Sequence, residues 1–140
     1  MIYYLSLGSN LGERELTIQR AMHYIEQQIG PIQRRSSFYY SQPWGFQSEH
    51  PFCNLCCSVK TEKEPMDVLI TAQLIERALG RTEKSIDGVY SDRIIDIDLI
   101  LAFDDEGHEV SVYEPELKIP HQLWQQRDFV RIPLNEILNK

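Results

Sequence analysis

Two aspartates standing two residues apart are the first candidates for chemistry in this sequence. Asp96 and Asp98 lie within the strongly apolar run 94–103. This composition predicts a strand, in which alternate side chains share a face, so the carboxylates would stand about 6 to 7 Å apart at the backbone. Such a pair can bind one or two Mg²⁺ ions, which take further oxygen ligands from water and substrate phosphates. A solvated strand face is the alternative, and spacing alone leaves both interpretations open.

Phe52 and Asn54 form a second candidate site by the same period of two. An aromatic ring beside an amide suits a flat heterocycle, because the ring stacks while the amide both donates and accepts hydrogen bonds. The alternative is a buried asparagine whose amide is satisfied by neighbouring backbone. The opposite face of the same strand, with Cys53, Leu55, Cys57 and Val59, is predicted to face the core.

Phosphate binding in this chain has to come from side chains and metal ions. The sequence contains no Gly-x-x-x-x-Gly-Lys-Ser/Thr run, so no P-loop is available to hold a nucleotide. Arginine suits bidentate contact with phosphate, although scattered basic residues do not by themselves define a site. The basic candidates are Arg81, Lys84, Arg93, His121, Arg127 and Arg131.

Charge and composition limit the possible partners. The 140 residues carry 14 Lys and Arg against 21 Asp and Glu, a net charge of −7, which argues against a protein that binds duplex nucleic acid. No apolar run approaches the roughly 18 residues of a membrane span. The three cysteines, Cys53, Cys56 and Cys57, are too crowded for a disulfide framework and are predicted to be buried, reduced thiols. We therefore expect a cytoplasmic protein.

The elements that must position these residues follow from periodicity and from turn residues. Their order, strand, helix, strand, strand, helix, strand, predicts an α+β fold in which helices pack on an antiparallel sheet, a ferredoxin-like sandwich. We expect residues 1–140 to form a single domain. In the last strand, Ile95, Ile97, Leu99 and Leu101 are predicted to face away from the aspartates. The predicted strands are 2–7, 32–41, 52–60 and 94–103, and the predicted helices are 13–29 and 65–79.

Taken in order, several short motifs resemble those of the 6-hydroxymethyl-7,8-dihydropterin pyrophosphokinase family, and the likeness runs from Ile2 to about Leu138. The resemblance implies transfer of pyrophosphate from ATP to the hydroxymethyl group of a pterin, with release of AMP, in folate biosynthesis. The motifs include Leu7-Gly8-Ser9-Asn10-Leu11, Phe52-Cys53-Asn54, Arg93-Ile94-Ile95-Asp96-Ile97-Asp98, Ile119-Pro120-His121 and Arg127-Asp128-Phe129.

The resemblance also implies a role for each matching residue. Asp96 and Asp98 would hold two Mg²⁺ ions and, with Arg81 and Arg93, form the catalytic set. The residues implied to bind the pterin are Ser41, Pro43, Trp44, Phe52, Asn54 and Phe129. The residues implied to bind ATP, the co-substrate, are Gln73, Glu76, Arg81, Arg93, His121 and Arg127. The expected partners are small molecules, bound by a monomer or a weak dimer that has no nucleic-acid or membrane partner.

Two other functions stay open at this level. Paired strand aspartates on a ferredoxin-like fold also occur in two-metal nucleases and polymerases, although the net negative charge argues against them. The stronger alternative is a pterin- or nucleotide-binding module of the same fold with reduced or lost catalysis. That alternative is favoured by the composition of the segment 81–93. Three acidic residues there balance the positive charges of Arg81, Lys84 and Arg93, so the segment has no net positive charge to attract phosphates.

Overall fold

The architecture comes from a computed structural model, which describes residues 1–41, 51–80 and 94–138. These residues form seven strands, three α-helices and a 3₁₀ turn at Trp124–Gln126. The strands are β1 (Ile2–Ser9), β2 (Ile32–Arg35), β3 (Tyr39–Ser41), β4 (Phe52–Lys60), β5 (Asp96–Phe103), β6 (Val112–Glu114) and β7 (Leu117–Ile119). The helices are α1 (Arg14–Gln28), α2 (Pro65–Ala78) and α3 (Asp128–Leu138).

The main sheet is built around β1, which pairs antiparallel with β4 on one side and with β5 on the other. β2 and β3 both pair antiparallel with β4, so the strand order is β2-β4-β1-β5 with β3 beside β4. β6 and β7 form a separate two-stranded hairpin. The predicted α+β class with an antiparallel sheet is confirmed.

One face of the sheet carries the larger hydrophobic core. Apolar residues at helical spacing in α1 and α2 pack against alternate residues of β1, β4 and β5. Tyr3, Leu5 and Leu7 of β1 are fully buried there. Burying one such aliphatic side chain contributes about 1.5–3 kcal/mol, so this face supplies much of the stability of the fold.

The opposite face is covered in part by α3, a helix that the sequence patterns did not predict. Val130, Leu134 and Ile137 of α3 pack against Cys56, Ile100 and Leu101. Pro133 lies inside α3. Because proline lacks an N–H and usually interrupts a helix, a pattern-based prediction does not extend a helix through it.

The predicted strand 32–41 is two strands, β2 and β3, separated by residues 36–38. Ser36 explains the break, because its backbone N–H donates to the Cys56 carbonyl at 2.8 Å while its Oγ accepts the Cys56 N–H at 3.0 Å. The side chain thereby replaces a backbone partner of β4, and the chain changes direction there.

Leu101 lies on the opposite face from the one predicted. The pairing of β1 with β5 shifts register between Tyr4 and Leu5, so that Ile100 is an extra residue in the β5 strand. Such a bulge reverses the alternation beyond it. Leu101 therefore packs under α3, whereas Ile95, Ile97 and Leu99 face the larger core as predicted.

The remaining comparisons with the sequence concern β4, the cysteines, β6 and the helices. β4 has the predicted bounds, and the three cysteines are free and buried. The short strand β6, within the acidic stretch 104–116, was not among the predicted strands. Among the described residues, no helix combines the length and apolarity needed to cross a membrane.

Candidate active site

Asp96 and Asp98 lie on the face of the sheet that α3 covers only in part. Asp96 is paired with Gly8 and Asp98 with Ser6 in the register of β1 and β5. Both aspartates are partly exposed, whereas Ile95 and Ile97 beside them are buried on the other face. The strand thus presents two carboxylates to solvent from an otherwise apolar segment.

A row of three residues crosses the sheet at this point. Gly8 of β1 is paired with Asp96 on one side and with Asn54 of β4 on the other. Directly opposed residues of antiparallel strands point to the same face, so the amide and the carboxylate flank a residue that has no side chain. Neighbouring strands are about 4.8 Å apart, which separates β4 from β5 by roughly 10 Å.

Gly8 keeps the middle of this row open. A Cβ atom built at position 8 would stand 3.1 Å from Asn54 Oδ1 and 3.5 Å from Phe52 Cδ1. The first of these distances is tighter than ordinary van der Waals contact, so Asn54 would have to move to admit a methyl group. Phe52 and Asn54 thus approach the backbone of β1 because residue 8 is glycine.

The Asn54 side chain holds β3 against β4. Its Nδ2 donates to the Tyr39 carbonyl at 3.1 Å and to Ser41 Oγ at 2.8 Å. Asn54 is buried, while Phe52 and Ser41, which are paired across the two strands, are partly exposed. The structure therefore brings Ser41, Phe52 and Asn54 together on one face. The bond to the Tyr39 carbonyl is also the kind of backbone contact expected if Asn54 is a buried structural residue.

Phe129 lies at the start of α3, partly buried against the smaller hydrophobic cluster. The next residue, Val130, accepts a hydrogen bond from Cys56 Sγ at 3.7 Å. Cys56 is two residues from Asn54 on the same strand face, which is about 6 to 7 Å. Phe129 is thus near the boundary between the covered and open parts of this face.

A cavity of about 290 Å³ lies beside the aspartates, between α2, β5 and the β6–β7 hairpin. It has an apolar side that includes Leu69 and a polar side that includes Asp98, Lys118 and His121. Arg127, which the resemblance also implies for ATP, is buried next to the start of α3. Glu116 also lines the polar side, so the cavity is suited to a ligand with one flat apolar part and one polar part.

His121 is held as a neutral donor at the edge of this cavity. Burial and the positive charge of Arg127 lower the pKa of His121, while the Asp96 carboxylate partly opposes them. Its Nδ1 accepts the Leu123 N–H at 3.4 Å, which leaves the ring proton on Nε2. A neutral imidazole with Nε2–H can donate a hydrogen bond to an anion at pH 7.

Glu76 and Gln73 of α2 are placed differently from one another. Glu76 is buried, and its Oε2 accepts the Ile97 N–H at 2.7 Å, which ties α2 to β5 just beside the aspartates. Gln73 is partly buried on the same helix. Their implied contacts with ATP stay predictions, and the structure adds a strand-anchoring contact for Glu76.

Four implied site residues, Pro43, Trp44, Arg81 and Arg93, lie outside the described residues. Within 1–41, 51–80 and 94–138, no three His, Cys, Asp or Glu side chains are grouped closely enough to enclose a metal ion. Asp96 and Asp98 nevertheless fit Mg²⁺, because this ion prefers oxygen ligands and keeps water and substrate oxygens in its coordination shell.

Sequence reasoning did not find the roles of Gly8, Leu69 and Lys118. Gly8 lies just beyond the predicted strand 2–7, and only the strand register places it between Asn54 and Asp96. Leu69 belongs to the apolar stripe of α2, where a cavity-lining residue has the same pattern as a core residue. Lys118 lies in a hairpin strand that was not predicted.

Paired strand carboxylates next to a cavity with a neutral histidine and a lysine are typical of an enzyme that transfers phosphate groups. A model of the 7,8-dihydro-6-hydroxymethylpterin-pyrophosphokinase family matches residues 4–139. A 2-amino-4-hydroxy-6-hydroxymethyldihydropteridine pyrophosphokinase of Porphyromonas gingivalis is 48% identical over 139 residues, covering 97% of this chain and 90% of that protein. The enzyme of the same name from Aquifex aeolicus is 35% identical and covers 96% of this chain and 78% of its own length.

The fold has a solved counterpart described as an HPPK-DHPS in complex with substrates, with a TM-score of 0.70 and 15% identity. That likeness covers 98% of this chain and 42% of the solved chain. On the family match and the curated relatives, the chain belongs to the 7,8-dihydro-6-hydroxymethylpterin-pyrophosphokinase family. It is an ATP-dependent transferase of folate biosynthesis that transfers pyrophosphate to hydroxymethyldihydropterin.

Proposed function

We propose that this reaction takes place along the row formed by Asn54, Gly8 and Asp96. The observation that carries the proposal is the strand register, which opposes Gly8 to Asn54 on one side and to Asp96 on the other. A flat heterocycle lying over the glycine would meet the amide at one end. Its hydroxymethyl group would extend towards the carboxylates at the other end.

Asp96 and Asp98 are the residues that we expect to hold Mg²⁺, with two ions bound when both substrates are present. The donor set contains only oxygen atoms and is open to solvent, which suits an ion that shares its coordination shell with phosphates. When bound, Mg²⁺ neutralises phosphate charge and lowers the pKa of a coordinated hydroxyl group.

The pterin is expected to bind between Phe52 and Phe129, with Asn54 at its edge. The partial exposure of both rings leaves them surface for stacking, and Phe129 begins the helix that borders the open part of the face. Ser41, paired with Phe52, would contribute a polar group beside the ring. Pro43 and Trp44 complete the proposed pterin set from the family resemblance alone.

ATP is expected to occupy the cavity that Asp98 and His121 share. Its base would lie against Leu69, and its phosphates would point to Asp98, where the neutral His121 and Lys118 can donate hydrogen bonds. Gln73, Glu76 and Arg127 complete the proposed nucleotide set among the described residues. Arg81 and Arg93 join it on the family resemblance.

The chain's own contribution to the reaction is to align the two substrates. The pterin hydroxymethyl oxygen would attack the β-phosphorus of ATP in line, forming the new O–P bond while the bond to the bridging oxygen breaks and AMP leaves. The hydroxyl proton would pass to a nearby carboxylate or phosphate oxygen. Positioning and charge neutralisation then account for most of the acceleration.

Several broader properties belong to the same proposal. The strand order β2-β4-β1-β5 with helices packed on the sheet supports a ferredoxin-like sandwich, and residues 1–140 would form one domain. Three buried reduced thiols favour a reducing compartment, which supports a cytoplasmic location. The protein is expected to bind small molecules as a monomer or weak dimer.

The experiment that tests the proposal is AMP formation from ATP with Mg²⁺ and 6-hydroxymethyl-7,8-dihydropterin. We expect AMP only when this pterin is present, and none with a dihydropterin that lacks the hydroxymethyl group. Asp98→Asn should lower the rate of AMP formation by about a thousandfold, while Asp67→Asn, at an exposed position of α2, should leave it unchanged. Pterin binding by the wild type without AMP would instead indicate a binding module.

A further inference from the structure

The start of α1 contacts both strands of the proposed pterin site from behind. Arg14 Nη1 donates to the Pro51 carbonyl at 2.8 Å, and Pro51 directly precedes Phe52. The Arg14 guanidinium carbon also lies 5.4 Å from the centre of the Tyr40 ring, and Tyr40 directly precedes Ser41. A single arginine thus reaches the residue before each of two residues assigned to the pterin.

Glu15 contacts both Tyr40 and Arg14. The Tyr40 hydroxyl donates to Glu15 Oε2 at 2.7 Å, and Arg14 Nη2 lies 3.8 Å from the same oxygen. The hydrogen bond to the Glu15 carboxylate raises the pKa of Tyr40 to about 12. The Tyr40 hydroxyl therefore stays protonated at neutral pH and can donate this hydrogen bond.

The three side chains act on the face opposite to the proposed pterin site. Tyr40 is paired with Cys53, which is fully buried on the core face, whereas Ser41 and Phe52 are paired on the other face. Arg14, Glu15 and Tyr40 are therefore separated from a bound pterin by the thickness of the sheet. Any influence they have on the pterin must act through the position of the backbone.

The strand that they hold is short. β3 has three residues, the short end of the usual strand length, so its own ladder gives it few hydrogen bonds. Arg14 contacts Tyr40 of β3 and Pro51, which directly precedes β4, so it restrains the separation between the two strands. A change in that separation moves Ser41 and Phe52 relative to each other.

We propose that Arg14, with Glu15 and Tyr40, forms a positioning clamp that sets the geometry of Ser41 and Phe52 for pterin binding. This inference rests on the proposed pterin site. The clamp residues touch neither substrate. They act on pterin affinity through the two strands that they join.

The test compares Arg14→Gln with Arg20→Gln, a matched change at an exposed position of the same helix. Arg14→Gln removes a charged hydrogen bond and a cation–π contact, and we expect about a tenfold rise in the pterin Kd and KM. The Kd of a non-hydrolysable ATP analogue and kcat should each stay within about twofold. Arg20→Gln should change none of these values.

Tyr40 provides a second variant that does not depend on the stability of the first. It is half-exposed, so Tyr40→Ala should fold and should weaken pterin binding in the same selective way. Tyr40→Phe keeps the ring beneath Arg14 and should restore most of the affinity. The pterin Kd of the double variant Arg14→Gln/Tyr40→Ala should be within about twofold of that of either single variant. The two substitutions disrupt the same clamp, so their effects should not add.

Two results would overturn the clamp: pterin and nucleotide affinities that fall together, or a pterin affinity unchanged in both Arg14→Gln and Tyr40→Ala. Failure of the proposed pterin site has a different signature. In that case Phe52→Ala leaves pterin affinity unchanged in the otherwise wild-type protein, whatever the Arg14 variants do.

Discussion

The two faces of the main sheet are built from the same strands and differ in what covers them. The face under α1 and α2 is apolar from one end to the other, with Leu5 and Leu7 fully buried. The face under α3 is apolar only at one end, around Cys56 and Ile100. Beyond the start of α3 this second face carries Asn54, Asp96 and Asp98.

This difference separates stability from chemistry within single strands. Leu7 and Gly8 are neighbours in β1, yet one fills the core and the other leaves room over the proposed site. A polar group on a fully covered face would be costly to bury, whereas an incompletely covered face can keep carboxylates solvated. Substitutions on the two faces should therefore affect different measurements.

The largest expected effect is on turnover at the open face. Asp96→Asn and Asp98→Asn should each lower kcat by about a thousandfold, about 4 kcal/mol in the barrier, since each removes a proposed metal ligand. The free energy of unfolding should change little. The measurement is AMP release at saturating Mg²⁺ together with urea denaturation, and near-normal turnover in either variant would contradict the assignment.

The corresponding substitution on the covered face is Leu7→Ala. It should lower the free energy of unfolding by about 3 kcal/mol, because it removes a fully buried side chain and leaves a cavity. Turnover per folded molecule should stay within a few fold of the wild type. A large loss of turnover in a folded variant would show that the two faces are not independent.

Pterin stacking gives the next effect in size. Phe52→Ala and Phe129→Ala should each weaken pterin binding by about 1–3 kcal/mol, the scale of a lost aromatic stacking contact. Calorimetry should show a much smaller change for a non-hydrolysable ATP analogue. Equal losses for both ligands would place the aromatic rings elsewhere.

Gly8→Ala tests the middle of the row. The added methyl group would stand 3.1 Å from Asn54 Oδ1, and displacing that amide should cost about 1 kcal/mol of pterin affinity. Gly8→Ala should lower the free energy of unfolding by less than Leu7→Ala does. Unchanged pterin affinity, measured by calorimetry, would indicate that the heterocycle does not lie over Gly8.

A last prediction concerns the thiols, and it asks whether the covered part of the site face behaves as core. Burial raises the pKa of Cys57 to about 12 and raises that of Cys56 under α3 as well. An unfolded thiol ionises near pH 8.5, so both cysteines favour the fold below that pH and destabilise it increasingly above it. Urea denaturation should show lower stability at pH 10 than at pH 8, and a weaker pH dependence in Cys56→Ala. Rapid reaction of Cys56 with a thiol reagent at pH 8 would contradict its burial.

The sequence alone predicted the features that depend on local pattern. β4 begins at Phe52, directly after Pro51, and its alternation places Asn54 and Cys53 on opposite faces as expected. The shared face of Asp96 and Asp98 likewise follows from a period of two. These predictions held because the covering helices and the strand period agree in this part of the chain.

Features that depend on contacts between distant residues could not be predicted. The bulge at Ile100 is a property of the pairing with β1, and it moved Leu101 to the other face. The break in the predicted strand 32–41 depends on the bond between Ser36 and Cys56. Above all, the meeting of Asn54, Gly8 and Asp96 depends on two strand registers, which no single segment specifies.

The most direct test of the row is a titration with Mn²⁺ in place of Mg²⁺, followed by amide NMR with the pterin and a non-hydrolysable ATP analogue bound. A paramagnetic ion held by Asp96 and Asp98 should broaden the resonances of Gly8, Asp96 and Asp98 first. Those of Ile2 and Lys60, at the far end of the paired strands, should stay sharp. Sharp Gly8 and Asp98 resonances at saturating Mn²⁺, or broadening first at another part of the sheet, would contradict the proposed site.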